Sequence, residues 1–177
     1  HMNQFKCLLG DGAQWGLKFS YIAQPSPDGL AQAFLLAEDF LDGDSSALIL
    51  GDNIFYGNGL RNILVNAMSQ LQGGTVFGYE VANPQHYGVI GFHSNGVVSS
   101  IEEKPISPKS NCAVTGLYFF DETASQKAKN IKVSPRGELE ITSLIGQYLE
   151  EGSLSVQKIG RGYAWLDMGT HESLLEA

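Results

Sequence analysis

Two hydrophobic periods alternate along the chain, and the switches between them mark out its elements. Residues 30–41, LAQAFLLAEDFL, set Leu30, Ala33, Phe34, Ala37, Phe40 and Leu41 three or four positions apart, the spacing of one helix face. Before this helix, FSYIAQ at 19–24 reads as a short strand. After it, SALIL at 46–50 is apolar almost throughout, as expected of a strand buried on both faces. That strand stops at GDNIFYGNG, 51–59, which reads as a loop beyond its C-terminal end. LRNILVNAMSQL at 60–71 is helical again and is closed by Gly73-Gly74, and TVFGYEVA at 75–82 returns to strand. The order β-α-β-α-β predicts a parallel sheet with helices on its faces.

The middle of the chain changes character. YGVIGF and VVSSIEE are joined by HSNG, and Asn95-Gly96 at the tip predicts an antiparallel hairpin inserted into the domain. AVTGLYFFD at 113–121 reads as another strand, ELEITSLIGQYLEEG at 138–152 as a helix, and SLSVQKI at 153–159 as a strand. No repeat, low-complexity tract or linker interrupts residues 3–177, so one α/β domain is expected there, and His1-Met2 reads as an expression scar.

Composition narrows the partners. Eleven basic and nineteen acidic residues give a net charge of -8, which argues against a broad phosphate-backbone footprint for nucleic acid, though not against one nucleotide held locally. No apolar run approaches the roughly 20 residues that span a bilayer, so no membrane partner is expected. Cys7 and Cys112 are in no metal-ligand spacing, and the cytoplasm is the simplest expectation for the chain.

Open α/β sheets bind ligands beyond the C-terminal ends of their strands, so candidate chemistry is sought there. Asp52 in LILGDN directly follows a buried strand, where a carboxylate can meet a metal ion or instead form an Asx-turn. Asp167 in AWLDMGT holds a similar place, the alternative being a cap for the helix HESLLEA, for which Thr170 is better positioned. Together they are suited to one Mg²⁺. In IEEKP, strand alternation sends Glu103 to the face opposite Glu102 and Lys104. Lys104 is suited to neutralising a phosphate, but locally a solvated lysine beside a proline is the plainer reading. Arg136 in SPRGELEIT carries a planar fork that matches phosphate oxygens, or it decorates a helix N-terminus.

QPSPDGLAQAF, LGDNIFYGNGL, HYGVIGF, IEEKP, AVTGLYFFD, RGELEIT and GRGYAWLDMGTHESL occur in one order, and over residues 5–177 the chain resembles the glucose-1-phosphate thymidylyltransferases. The resemblance implies a Rossmann-like three-layer nucleotidyltransferase fold with a mostly parallel sheet and an antiparallel insertion. It implies Mg²⁺-dependent transfer of a nucleotidyl group from dTTP to glucose 1-phosphate, giving dTDP-glucose and pyrophosphate on the way to dTDP-rhamnose. Carried over residue by residue, it gives Gln24, Pro27 and Gly29 to the nucleotide, with Gln24 and Gly29 on thymine. Asp52 belongs to both nucleotide and metal, and Asp167 to the metal. Tyr87, Gly88, Glu103, Lys104, Val114, Arg136 and Trp165 go to the glucosyl phosphate. Asp52, Lys104, Arg136 and Asp167 are the implied catalytic set. Pro25 and Pro27, with φ fixed, and Gly29, with no Cβ, would then present a preset backbone edge to a flat base.

Departures qualify the resemblance. The family's N-terminal GGxGTRL loop, its KP motif and its C-terminal helices are not among these residues, and Met168, Ser143 and Ile145 stand where threonine, aspartate and asparagine are usual. The chain therefore reads as the central portion of such an enzyme, a homo-oligomer when whole. The alternative is a non-catalytic fragment that binds the sugar phosphate or nucleotide. In either case these 177 residues alone are expected to turn over poorly.

Overall fold

A computed structural model describes residues 2–160, 162–169 and 174–175, so Thr170 and, apart from Leu174 and Leu175, the helix expected from His171 lie outside the described residues. Six helices are described: α1 Met2–Leu9, α2 Gln32–Leu36, α3 Glu38–Leu41, α4 Leu60–Ser69, α5 Ala124–Ala128 and α6 Ile141–Glu150. Eight strands accompany them: β1 Ser46–Ile49, β2 Asn53–Gly57, β3 Gly74–Glu80, β4 Gly88–Phe92, β5 Val98–Glu103, β6 Cys112–Phe120, β7 Leu154–Lys158 and β8 Tyr163–Asp167.

The sheet is built on β6, whose nine residues are all buried. One edge of β6 pairs antiparallel with β3, which pairs parallel with β7. The other edge is shared, with β1 taking Leu117–Phe120 and β4 touching Ala113. The predicted hairpin is present as β4 and β5. Strands β1, β3, β4 and β7 thus run one way and β5 and β6 the other. The α/β class holds and most strands share one direction, but parallel neighbours are confined to β3 and β7, because β6 returns from the hairpin and inserts between β1 and β3.

Alternation along β6 makes two cores. Val114, Tyr118 and Phe120 face α2, α5 and α6, where Phe120 stacks on Tyr148 at 5.2 Å and meets Phe34 edge-on at 5.4 Å. Leu117 and Phe119 face Phe77, Ala67 of α4 and Ile159. This is the expected three-layer arrangement, with Ile145 fully buried in the first core.

Several local expectations are corrected. Residues 19–24 are irregular and mostly exposed, because no described strand offers them a ladder. The helix over 30–41 divides at Ala37 (φ -96°, ψ 9°), which sends Phe34 into the core and leaves Phe40 61 % exposed. β1 is not buried on both faces, since Ile49 is 59 % exposed. β1 pairs with β6 alone among the described strands, and its apolar residues follow the local core rather than full burial. The segment read as a loop after it contains β2, which pairs antiparallel with β8 as a separate ribbon against α4. Helix α6 begins at Ile141 rather than 138, because Leu139 is held by backbone bonds to Asp28 and Ala31.

Candidate active site

The shared edge of β6 creates the site. Between the end of β1 and the start of β4, residues Val114 and Gly116 front a cavity of about 180 Å³. It gathers Tyr87, Gly88, Glu103, Lys104, Val114, Arg136, Trp165 and Asp167 from segments up to 80 residues apart (167 minus 87). Eight of the residues singled out from the sequence therefore meet in one place. Val114 and Trp165 are 6 % and 8 % exposed, so they both pack the core and line the cavity. The Trp165 ring lies 5.3 Å from that of Tyr87 and 5.9 Å from that of Tyr79.

On one side of the cavity Glu103 accepts a hydrogen bond from Thr142 Oγ1 at Oε2, 3.0 Å away, and meets the Arg136 guanidinium at Oε1, 3.3 Å away. Arg136 also reaches Glu140 and Glu138, each at 3.4 Å. Burial, and then the charge of Glu140, push the Glu103 carboxyl above its ordinary range, against the pull of Thr142, Lys104 and Arg136. Gly88 is required here, since a Cβ would lie 2.8 Å from Thr142 Cγ2.

Glu102 points away from the cavity and pairs with Lys109 at 2.5 Å, as alternation predicts. Lys104 departs from that alternation. Its φ of +40° turns the backbone at the strand end and brings its side chain to the same cavity as Glu103. Among the described residues Lys104 makes no salt bridge, which leaves its charge available to an anion.

The two aspartates converge opposite this wall. Asn53 lies across from Asp167 in the β2–β8 register, so its neighbour Asp52 stands beside Asp167, and Met168 N–H donates to the Asp52 carbonyl at 2.8 Å. A Cβ placed on Gly169 would sit 3.2 Å from Asp167 Oδ1 and 3.3 Å from Asp52 Oδ2, so both oxygens border one small cradle. Burial, reinforced by the Asp52 charge, pushes the Asp167 carboxyl up, with its bond from Gly169 N–H opposing. No cluster of three or more His, Cys, Asp or Glu that could hold a metal occurs among the described residues. Two carboxylates around an open cradle nevertheless fit a hard cation that keeps water and substrate oxygens as its other ligands.

The residues expected at the nucleotide do not line this cavity. Gln24 Nε2 donates to Gln32 Oε1 at 2.7 Å and Gly29 O at 3.3 Å, and Gln24 borders a separate hollow with Met2, Phe5 and Tyr21. Gly29 has φ +107°, and a Cβ there would lie 2.4 Å from the Leu139 carbonyl oxygen. The missing Cβ thus admits the backbone of Leu139, a reason that the sequence did not suggest. Pro27 sits in the exposed turn between Gln24 and Gly29, and Leu30 joins the loop to the cavity.

Two cavity residues, Tyr118 and Asn53, and Thr142, which bonds Glu103 at the cavity's edge, escaped the sequence reading. Thr142 and Tyr118 were hidden inside segments that read simply as helix and strand. Tyr118 is 3 % exposed, and burial followed by the charges of Glu103, Asp167 and Asp52 pushes its phenol up, so it stays neutral. Asn53 was adjacent to a named aspartate and would have been found by treating 53–57 as a strand, because pairing then places it beside Asp167.

Comparison with known proteins agrees with this architecture. The nucleotidyl transferase family matches residues 1–177. The glucose-1-phosphate thymidylyltransferase of Neisseria meningitidis serogroup A is 58 % identical over 173 residues, covering 98 % of this chain and 60 % of the relative. That of Mycobacterium tuberculosis (strain H37Rv) is 52 % identical over 173 residues, with the same coverages of 98 % and 60 %. The chain thus spans about 60 % of the length of these curated relatives. A crystal structure from Bacillus anthracis, provisionally described as a glucose-1-phosphate thymidylyltransferase and bound to a sucrose, superposes with a TM-score of 0.88 at 39 % identity. The superposition covers 99 % of this chain and 70 % of that one. A UDP-glucose pyrophosphorylase complexed with UDP-glucose shares the fold at 23 % identity and a TM-score of 0.81. Matched along its whole length, and sharing fold and sequence with these proteins, the chain belongs to the nucleotidyl transferase family and groups there with the glucose-1-phosphate thymidylyltransferases.

Proposed function

We propose that this chain forms the sugar-phosphate and metal-binding part of an enzyme that condenses dTTP with glucose 1-phosphate to give dTDP-glucose and pyrophosphate. The observation that carries the reading is the meeting of Lys104, Arg136, Glu103 and Asp167 around one cavity, with Asp52 beside Asp167. Glu103, kept from turning by Thr142 and Arg136, accepts hydroxyl donors of the sugar. Lys104 and Arg136 face its phosphate, with Arg136 exchanging one of its long carboxylate contacts for a phosphate oxygen. That oxygen is already anionic at neutral pH, so its attack on the α-phosphorus of the nucleotide needs no general base, and pyrophosphate leaves from the opposite side. Repulsion between polyanions is the barrier that the two cations lower while they align the attack. A Mg²⁺ ion held by Asp52 and Asp167 would supply further charge neutralisation at the transferring phosphoryl group. Gln24, Pro27 and Gly29 offer the thymine edge, and Gln24 must release Gln32 to do so.

The test is a chimera in which these residues replace the matched 173 residues of the Neisseria meningitidis relative. Pyrophosphate release from dTTP and glucose 1-phosphate is expected, with a loss of about 10²-fold or more in Lys104→Ala and Asp167→Asn. Inactivity of a folded chimera, or full activity in both variants, would contradict the reading.

A further inference from the structure

Asn53 engages three groups with one amide. Its Oδ1 accepts from Gly116 N–H at 3.0 Å and from Trp165 Nε1–H at 2.6 Å, while its Nδ2 donates to Asp52 Oδ1 at 2.9 Å. Backbone and indole N–H groups can only donate and an ionised carboxylate can only accept, so the partners leave the amide a single orientation. A flipped amide would set its NH₂ against two donors and its oxygen against a carboxylate. Gly116 makes room for this contact, because a Cβ there would lie 2.4 Å from Asn53 Oδ1.

The consequence for Asp52 is directional. With Oδ1 tied to Asn53, Oδ2 is the oxygen that borders the cradle shared with Asp167. The other end of the amide holds the indole that walls the sugar-phosphate cavity beside Tyr87. We propose that Asn53 is a positioning residue that couples the two halves of the site, fixing the rotation of Asp52 toward the cation and the placement of Trp165 toward the sugar through one shared amide. The proposal rests on the reading of Asp52 and Asp167 as a cation pair. It adds that the affinity of the pair depends on a residue that does not touch the cation, and that the indole senses cation binding.

Trp15 and Trp165 are the two tryptophans of the chain, so a Trp15→Phe background leaves Trp165 as the sole tryptophan emitter, read with excitation selective for indole over tyrosine. In that background Mn²⁺ is titrated by calorimetry and by fluorescence, without nucleotide or sugar. The parent is expected to bind Mn²⁺ with a change in Trp165 emission. Asn53→Ala should bind about tenfold more weakly and lose the emission response, as expected when a hydrogen bond to a charged group is removed. Gly116→Ala, which displaces the Asn53 oxygen while keeping the amide, should do the same and serves if Asn53→Ala fails to fold. Unchanged Mn²⁺ affinity in a folded variant, even one with lowered Tm, would overturn the proposal and reduce Asn53 to a structural tie. A parent that does not bind Mn²⁺ would overturn the carboxylate reading along with it.

Discussion

At Asp167 stability and function pull in opposite directions. The carboxyl is pushed up by burial and by the charge of Asp52, so ionising it costs the folded protein something that the unfolded chain does not pay. A group with a raised folded pKa destabilises as pH climbs from the ordinary carboxylate range through the raised value. Asp167→Asn removes that cost. In metal-free buffer the variant should match the parent in Tm near pH 4 and exceed it by about 1–2 °C at pH 7, a small effect because the carboxyl remains partly in water. Saturating Mg²⁺ should reverse the order by stabilising only the parent. Equal Tm differences at both pH values, measured by thermal melts, would show that the repulsion is not felt. Gly29 carries a different constraint, since a methyl group there meets the Leu139 carbonyl and demands a residue at φ +107°. Gly29→Ala should cost about 1–3 kcal/mol in urea unfolding; a cost below a few tenths would mean that the 28–31 loop is not pinned to Leu139.

Among the elements, β6 anchors both cores, and its packing partner α6 contributes Ile145, which is fully buried. Ile145→Ala should destabilise by about 2–5 kcal/mol, readable from denaturant midpoints, and a loss under 1 kcal/mol would mean that the layer collapses to fill the gap. The elements legible in the sequence were those with unambiguous patterns: the Asn95-Gly96 hairpin, the apolar runs of β1, β3, β6 and β7, and the helices α4 and α6. Residues 19–24 were illegible because a strand exists only when another offers it hydrogen bonds, and composition does not say where that partner is. β2 was lost for the converse reason: Ile54, Phe55 and Tyr56 lie between glycines that read as a loop, yet Tyr163–Asp167 supplies the ladder. The candidate site was largely legible because its residues cluster in recognisable blocks. The φ of Lys104 and the amide of Asn53 were not, since each depends on a neighbour distant in sequence.

For the molecule as a whole, a net charge of -8 is compatible with the proposed phosphate-binding role because the positive charge is local. Lys104 and Arg136 face one cavity, and a cation on the paired carboxylates would add to them. No described helix is long and apolar enough to cross a membrane. The single domain expected over residues 3–177 remains our reading of how these layers cooperate. The most direct measurement of the central claim is calorimetric titration of this chain with glucose 1-phosphate in the presence of Mg²⁺. We predict saturable binding with a Kd below about 1 mM, the upper end of ordinary substrate affinities. Lys104→Ala and Glu103→Gln should each weaken it about tenfold or more, as loss of a charged hydrogen-bond partner requires. Absence of binding by the folded parent, or equal affinity in parent and both variants, would contradict the account.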